Sequence, residues 1–121
     1  MQDRKLTAQV RHEGAATIID LEGDINRSAD ETLHAAYADA VKEQATQVIL
    51  NFSDVAFINS MGIAVIVSLL ARARAAKQEV IVYGLSQHYT RIFEITRLVD
   101  FMSVMPDEAS ALEHTSTKQS S

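Results

Sequence analysis

From residue 6 onward the chain alternates short apolar runs with longer amphipathic ones. Leu6 to His12 sets Leu6, Ala8 and Val10 against Thr7, Gln9 and Arg11, a period of two that predicts a half-exposed strand ending at the Glu13-Gly14 turn. Thr17 to Leu21 (TIIDL) reads as the returning strand of a hairpin, and Gly23 breaks its pattern before the polar segment Asp24 to Arg27. Ser28 followed three residues later by Glu31 is the reciprocal capping pattern of a helix start. That helix is expected to run to about Glu43 with Leu33, Ala36, Tyr37, Ala40 and Val41 on its inner face.

The stretch Gln47 to Leu70 organises the rest. An apolar run of strand length, Gln47 to Phe52, meets a polar corner at Ser53 and Asp54, and a second apolar run of helical length opens at Ser60. At 100° per residue, Ile63, Ile66, Val67 and Leu70 cluster as the expected core face. Met61, Val65, Ser68 and Arg72 point the other way, with Ala64 and Leu69 at the edges, which leaves apolar side chains near solvent beside Ser60. Arg72, Arg74 and Lys77 fall in the last turns, where cations suit the negative end of the helix dipole.

Glu79 to Tyr83 is a buried-type strand stopped by Gly84, and Ser86 is the expected cap of a helix reaching about Leu98, with Tyr89, Ile92, Phe93 and Thr96 inward. Phe101 to Met105 is a last short strand, Pro106 ends it, and Asp107 to Glu113 forms a short amphipathic helix. The order β-β-α-β-α-β-α-β-α implies an α/β domain, a mixed, mostly parallel five-stranded sheet with an N-terminal hairpin and about four helices. One domain over residues 1–113 is expected, followed by a disordered polar tail over 114–121 (HTSTKQSS).

Composition narrows the function. Sixteen acidic against 11 basic residues give a net charge of -5 with no basic block, so nucleic-acid binding is not expected. There is no cysteine, hence no disulfide framework and no thiolate metal site. The start, Met1-Gln2-Asp3-Arg4-Lys5, lacks the apolar core of a signal peptide, and Ile63 to Ala71 is too short to span a bilayer. A cytoplasmic protein without direct membrane insertion is expected.

The chemistry converges on one hydroxyl. Ser60 lacks the glycine two residues before it that a hydrolase elbow requires, and His12, His34, His88 and His114 are not positioned as its base. No histidine pair has ligand spacing, and Gly14, Gly23, Gly62 and Gly84 form no phosphate-cradling loop, so no metal, nucleotide or other cofactor is expected. Two uses of Ser60 remain. It is a helix cap, or it is a phosphate acceptor whose modification adds about -1.5 to -2 charges at the positive end of a helix dipole, beside the apolar side chains of Met61, Ala64 and Val65.

The run Val48 to Ile63 (VILNFSDVAFINSMGI) resembles the signature of STAS domains, the anti-sigma factor antagonists of bacterial partner switching. Leu21-Glu22-Gly23-Asp24-Ile25-Asn26 is similar to the family's earlier turn, and Phe93 to Leu98 to the segment before its last strand. The resemblance spans about Leu6 to Leu112. It implies a non-enzymatic protein that binds a serine-kinase/anti-sigma factor of the histidine-kinase-like ATPase fold while unphosphorylated. The resemblance further implies that phosphorylation at Ser60 releases the partner and that a PPM-type serine phosphatase restores binding. Carried over by position, the partner-binding residues are Asn26, Asn59, Ser60, Met61, Gly62, Ala64 and Val65. Asn59 and Asn26 stand where the family carries aspartate, and Met61 where it carries a second hydroxyl. The alternative within the same family is a constitutive scaffold subunit, such as the accessory of a lipid ABC transporter or a component of a signalling assembly.

Overall fold

The structure, a computed structural model, describes residues 4–42 and 45–119. The expected end of the first helix near Glu43 and the last two residues of the tail lie outside the described residues. Five strands form one sheet in the order β1-β2-β3-β4-β5: β1 (Thr7–Glu13), β2 (Ala16–Ile25), β3 (Gln47–Ile58), β4 (Glu79–Tyr83) and β5 (Ser103–Met105). The hairpin β1–β2 is antiparallel and every other pair is parallel, as the helical crossovers require. The helices are α1 (Ala29–Val41), α2 (Ser60–Ala75), α3 (Gln87–Ile95) and α4 (Glu108–Gln119), with a 3-10 helix at Leu98–Phe101. The mixed sheet, the hairpin and the element order agree with the sequence reading.

Strand alternation sorts the core into two layers. Ile19, Leu21, Val48, Leu50, Val80 and Val82 pack with Leu33, Tyr37, Ile66, Leu69 and Phe93 of α1, α2 and α3. The intervening residues, Ile18, Ile49, Ile81 and Tyr83, face the other way onto Ala111 of α4. Near-continuous apolar strands are what a sheet covered on both faces demands.

Several boundaries differ from expectation. Strand β2 does not stop at Gly23 but runs on to Ile25 through register shifts on either side of it. Gly23 has φ +114, and a Cβ there would lie 2.7 Å from the Lys5 carbonyl oxygen, so the glycine admits the incoming chain rather than ending the strand. Strand β3 likewise continues through Ser53 and Asp54 to Ile58, because its parallel partner β2 extends beside it.

The capping box at Ser28 does not form. Ser28 is helical (φ -70, ψ -12) and caps nothing; the Asn26 side-chain oxygen instead accepts from the Ser28 N–H at 3.0 Å and hydroxyl at 2.6 Å. The expected tail also needs correction, since α4 extends to Gln119. His114 bonds the Glu79 carboxylate at 2.9 Å, and Thr115 is buried with its hydroxyl on the Ala111 carbonyl at 3.0 Å. The His114–Glu79 bond tethers this extension to β4 where apolar periodicity, the signal read from sequence, is missing.

Candidate functional site

The parallel register places Ile25 beside Ile58 at the carboxyl ends of β2 and β3. Asn26 and Asn59, the residues that follow them, therefore leave the sheet side by side, one toward α1 and one into α2. The Asn59 N–H donates to the Ile25 carbonyl at 3.2 Å and ties the two exits together. Gly62 sits on that same carbonyl: a Cβ at position 62 would lie 1.9 Å from the Ile25 oxygen. Only a residue without a side chain lets the first turn of α2 rest on the end of β2.

Ser60 is not the helix cap. Asn59 is, with extended backbone and a side-chain oxygen that accepts the Gly62 N–H at 2.8 Å. Ser60 is the first helical residue and is exposed. The first-turn donors can be counted: the Asn59 N–H goes to Ile25 and that of Gly62 to the Asn59 side chain. Those of Ser60 and Met61 have no acceptor among the described residues. The turn carries no acidic side chain of its own to offset the helix dipole.

A buried phenol braces the approach to this turn. The Tyr89 hydroxyl accepts from the Ile58 N–H at 2.8 Å and donates to the Ile58 carbonyl at 3.3 Å. Sequence reading places Tyr89 on the inner side of α3 as a packing residue and misses the hydrogen bonds, for which no local pattern exists. Phe57, 53% exposed just before Ile58, is a second apolar side chain at the site that sequence reasoning missed.

The outward stripe of α2 is turned from its expected position. The buried face is Gly62, Val65, Ile66, Leu69, Leu70 and Ala73, while Val67 is exposed. Val65 is 6% exposed and belongs to the core, which corrects its expected place at the surface. Met61, 47% exposed, and Ala64 do face solvent. The rotation, roughly 80° at 100° per residue, follows from Gly62: its contact with the Ile25 carbonyl fixes which side of the helix faces the sheet, and apolarity alone does not distinguish the two stripes. Arg27 and Asp30 at the start of α1 join Met61, Ala64 and the edge of Val65 around a shallow depression of about 330 Å³.

Acid–base groups do not gather at Ser60. His34 bonds the hydroxyl of Ser68 at 3.2 Å and stands 3.7 Å from Asp30, but both meet the same ring nitrogen, Nε2. Its Nδ1 faces Arg72 at 3.1 Å, so the arrangement of a nucleophile–base–acid relay is absent from this trio. Shifted carboxylates lie instead near α4, at Glu79 and Asp20. Burial alone would raise the Glu79 carboxyl, but hydrogen bonds from Gln47, His114 and Ser103 outweigh it and bring it down to about 2. Burial opposes ionisation of Asp20 too, and hydrogen bonds from Arg11 and Asn51 hold it below the usual carboxylate range. Among the described residues no group of three His, Asp or Glu side chains could hold a metal ion, and no helix is long and apolar enough to cross a membrane.

Comparison with known proteins places this geometry. The family described as "Mlab, STAS domain" matches residues 8–105. An anti-sigma factor antagonist from Mycobacterium paratuberculosis superposes with a TM-score of 0.77 at 17% identity, over 91% of this chain and 93% of that one. The anti-sigma factor antagonist SpoIIAA in its unphosphorylated form gives 0.68 at 19% identity, over 90% and 97%. The phosphorylated form of SpoIIAA, the Bacillus cell fate determinant, gives 0.67 at 21%, over 90% and 99%. At these identities the likeness is one of fold.

Proposed function

Because the chain belongs to the STAS domain family, we propose that it is an anti-sigma factor antagonist of a bacterial partner-switching pathway, controlled by phosphorylation at Ser60. In this reading it binds a serine-kinase/anti-sigma factor of the histidine-kinase-like ATPase fold while unphosphorylated. The kinase transfers phosphate to Ser60, the complex separates, and a PPM-type serine phosphatase restores the binding form.

The observation that carries the reading is the position of Ser60: exposed, first in a 16-residue helix, beside two open backbone donors and next to exposed Met61 and Ala64. A phosphate there meets the positive end of the helix dipole and two N–H groups, so the fold accommodates the charge. The same charge at the edge of an apolar contact opposes docking, because a partner would have to desolvate it. One modification thus alters the interface and spares the core. Solved STAS-like folds include an anti-sigma factor antagonist in both unphosphorylated and phosphorylated form, which supports the reading by analogy.

Asn59 and Asn26 keep hydrogen-bonding roles that aspartate could also fill, one as helix cap and one on Ser28. Their neutrality is the observation that favours the second reading, a constitutive scaffold subunit in which Ser60 is never modified. Ser60→Asp separates the two. The switch predicts weaker partner binding at an unchanged melting temperature, and the scaffold predicts unchanged binding.

A further inference from the structure

The far half of α2 carries an apolar groove that the Ser60 surface does not use. Val67, Leu70 and Ala71 form one wall and Leu98 and Phe101 the other, around a depression of about 180 Å³. Arg74 closes one end, its guanidinium 5.1 Å from the centre of the Phe101 ring. Val67 and Phe101 are 45% and 46% exposed, so the walls stand open to solvent. The depression is smaller than the ~300–1,000 Å³ of sites that enclose a drug-sized molecule. It suits one bulky side chain, the anchor of a protein contact.

Charge selects the occupant. A more polar depression of about 550 Å³ shares Leu70, Arg74 and Phe101 with the groove and adds Lys77, Asp100 and Glu79. Both carboxylates are already engaged, Asp100 by Arg97 at 2.8 Å and Glu79 by Gln47, Ser103 and His114. Arg74 and Lys77 have no ion-pair partner among the described residues. Arg74 at the end of the apolar notch and Lys77 in the adjoining depression are thus two cations without an ion-pair partner among the described residues, on a chain whose net charge is -5. We propose that this groove is a second docking port, for a protein segment that presents one large apolar side chain flanked by carboxylates. A lipid surface fits less well, because the apolar groove is a concavity sized for a single side chain and the adjoining depression that carries Lys77 is also lined by Asp100. Arg74 lies 14 residues beyond Ser60, about 21 Å along the helix at 1.5 Å per residue. The two ports are therefore separate, and this one does not rest on the reading of Ser60.

The test follows backbone amide shifts of the full chain during titration with a short synthetic peptide of glutamates around one phenylalanine. Two controls carry glutamine for glutamate or alanine for phenylalanine. The proposal expects saturable shifts at Val67, Ala71, Arg74 and Leu98, with roughly tenfold weaker binding of either control. The same weakening is expected for the double variant Arg74→Gln with Lys77→Asn. Lys77 has φ +60, which asparagine tolerates, so the variant keeps its fold. Equal binding of the glutamine control, shifts centred on Met61 and Ala64, self-association through Val67 that the peptide does not displace, or no saturable change each overturn it.

Discussion

The hydroxyl of Tyr89 satisfies both backbone groups of Ile58, accepting its N–H at 2.8 Å and donating to its carbonyl at 3.3 Å. A side chain from α3 thereby sets the end of β3 two residues before Ser60. Tyr89→Phe keeps the packing of the ring and leaves two buried polar groups unpaired, at a cost of about 1–3 kcal/mol. Urea denaturation should show that loss, and amide exchange should accelerate at Ile58. An unchanged midpoint would mean that the phenol does not brace the junction.

Gly62→Ala should be more damaging than its single methyl implies. The added carbon meets a backbone oxygen at 1.9 Å, and the carbonyl of Ile25 belongs to a strand that cannot yield without disturbing β2 and β3. A loss of about 3 kcal/mol or more is expected, the upper range for overpacking. A thermal melt of the variant within a few degrees of the parent would contradict this packing.

Asn59 offers a paired test. Asn59→Ala removes the acceptor of the Gly62 N–H and should cost about 1 kcal/mol. Asn59→Asp keeps the cap and adds a negative charge at the helix N-terminus, for a gain of about 0.3–1 kcal/mol at low salt. Denaturation in low and high salt checks both, since the gain of the aspartate should shrink with ionic strength while the loss of the alanine should not.

The acid limb of stability should report Glu79. Its carboxyl is held at about 2 in the folded protein against an ordinary 4.5, so the unfolded chain binds more protons between those values. The stabilisation is fully present above about 4.5 and is lost as pH falls toward about 2. Glu79→Gln should be less stable than the parent by about 2 kcal/mol at pH 7, the full shift being discounted because solvent screens this partly exposed carboxylate. That difference should close as pH drops through the window. Parallel stability curves for the two proteins would contradict the assignment.

The sequence shows the architecture wherever a single period dominates. The hairpin, the buried strand Glu79 to Tyr83 and the Ser86 cap, which accepts the Tyr89 N–H at 3.1 Å, are all legible in it. It fails where a distant partner decides. Strands β2 and β3 each run past their polar residues because the other lies alongside, and α2 turns about its axis because Gly62 meets Ile25. The end of α4 is hidden for the same reason, its His114 being anchored by Glu79 from another element. At the site, Ser60 and its exposed neighbours Met61 and Ala64 are readable from the helix start. The capping role of Asn59 is not, because a serine and an asparagine in succession offer two equivalent acceptors until the backbone chooses one.

The central claim is that Ser60 is the point of control. Incubating the protein with its cognate serine kinase and ATP, followed by intact mass and fragment mapping, measures it directly. One phosphate, located on Ser60 and absent from a Ser60→Ala variant, is the predicted result; a phosphate on another residue, or none at all, contradicts it.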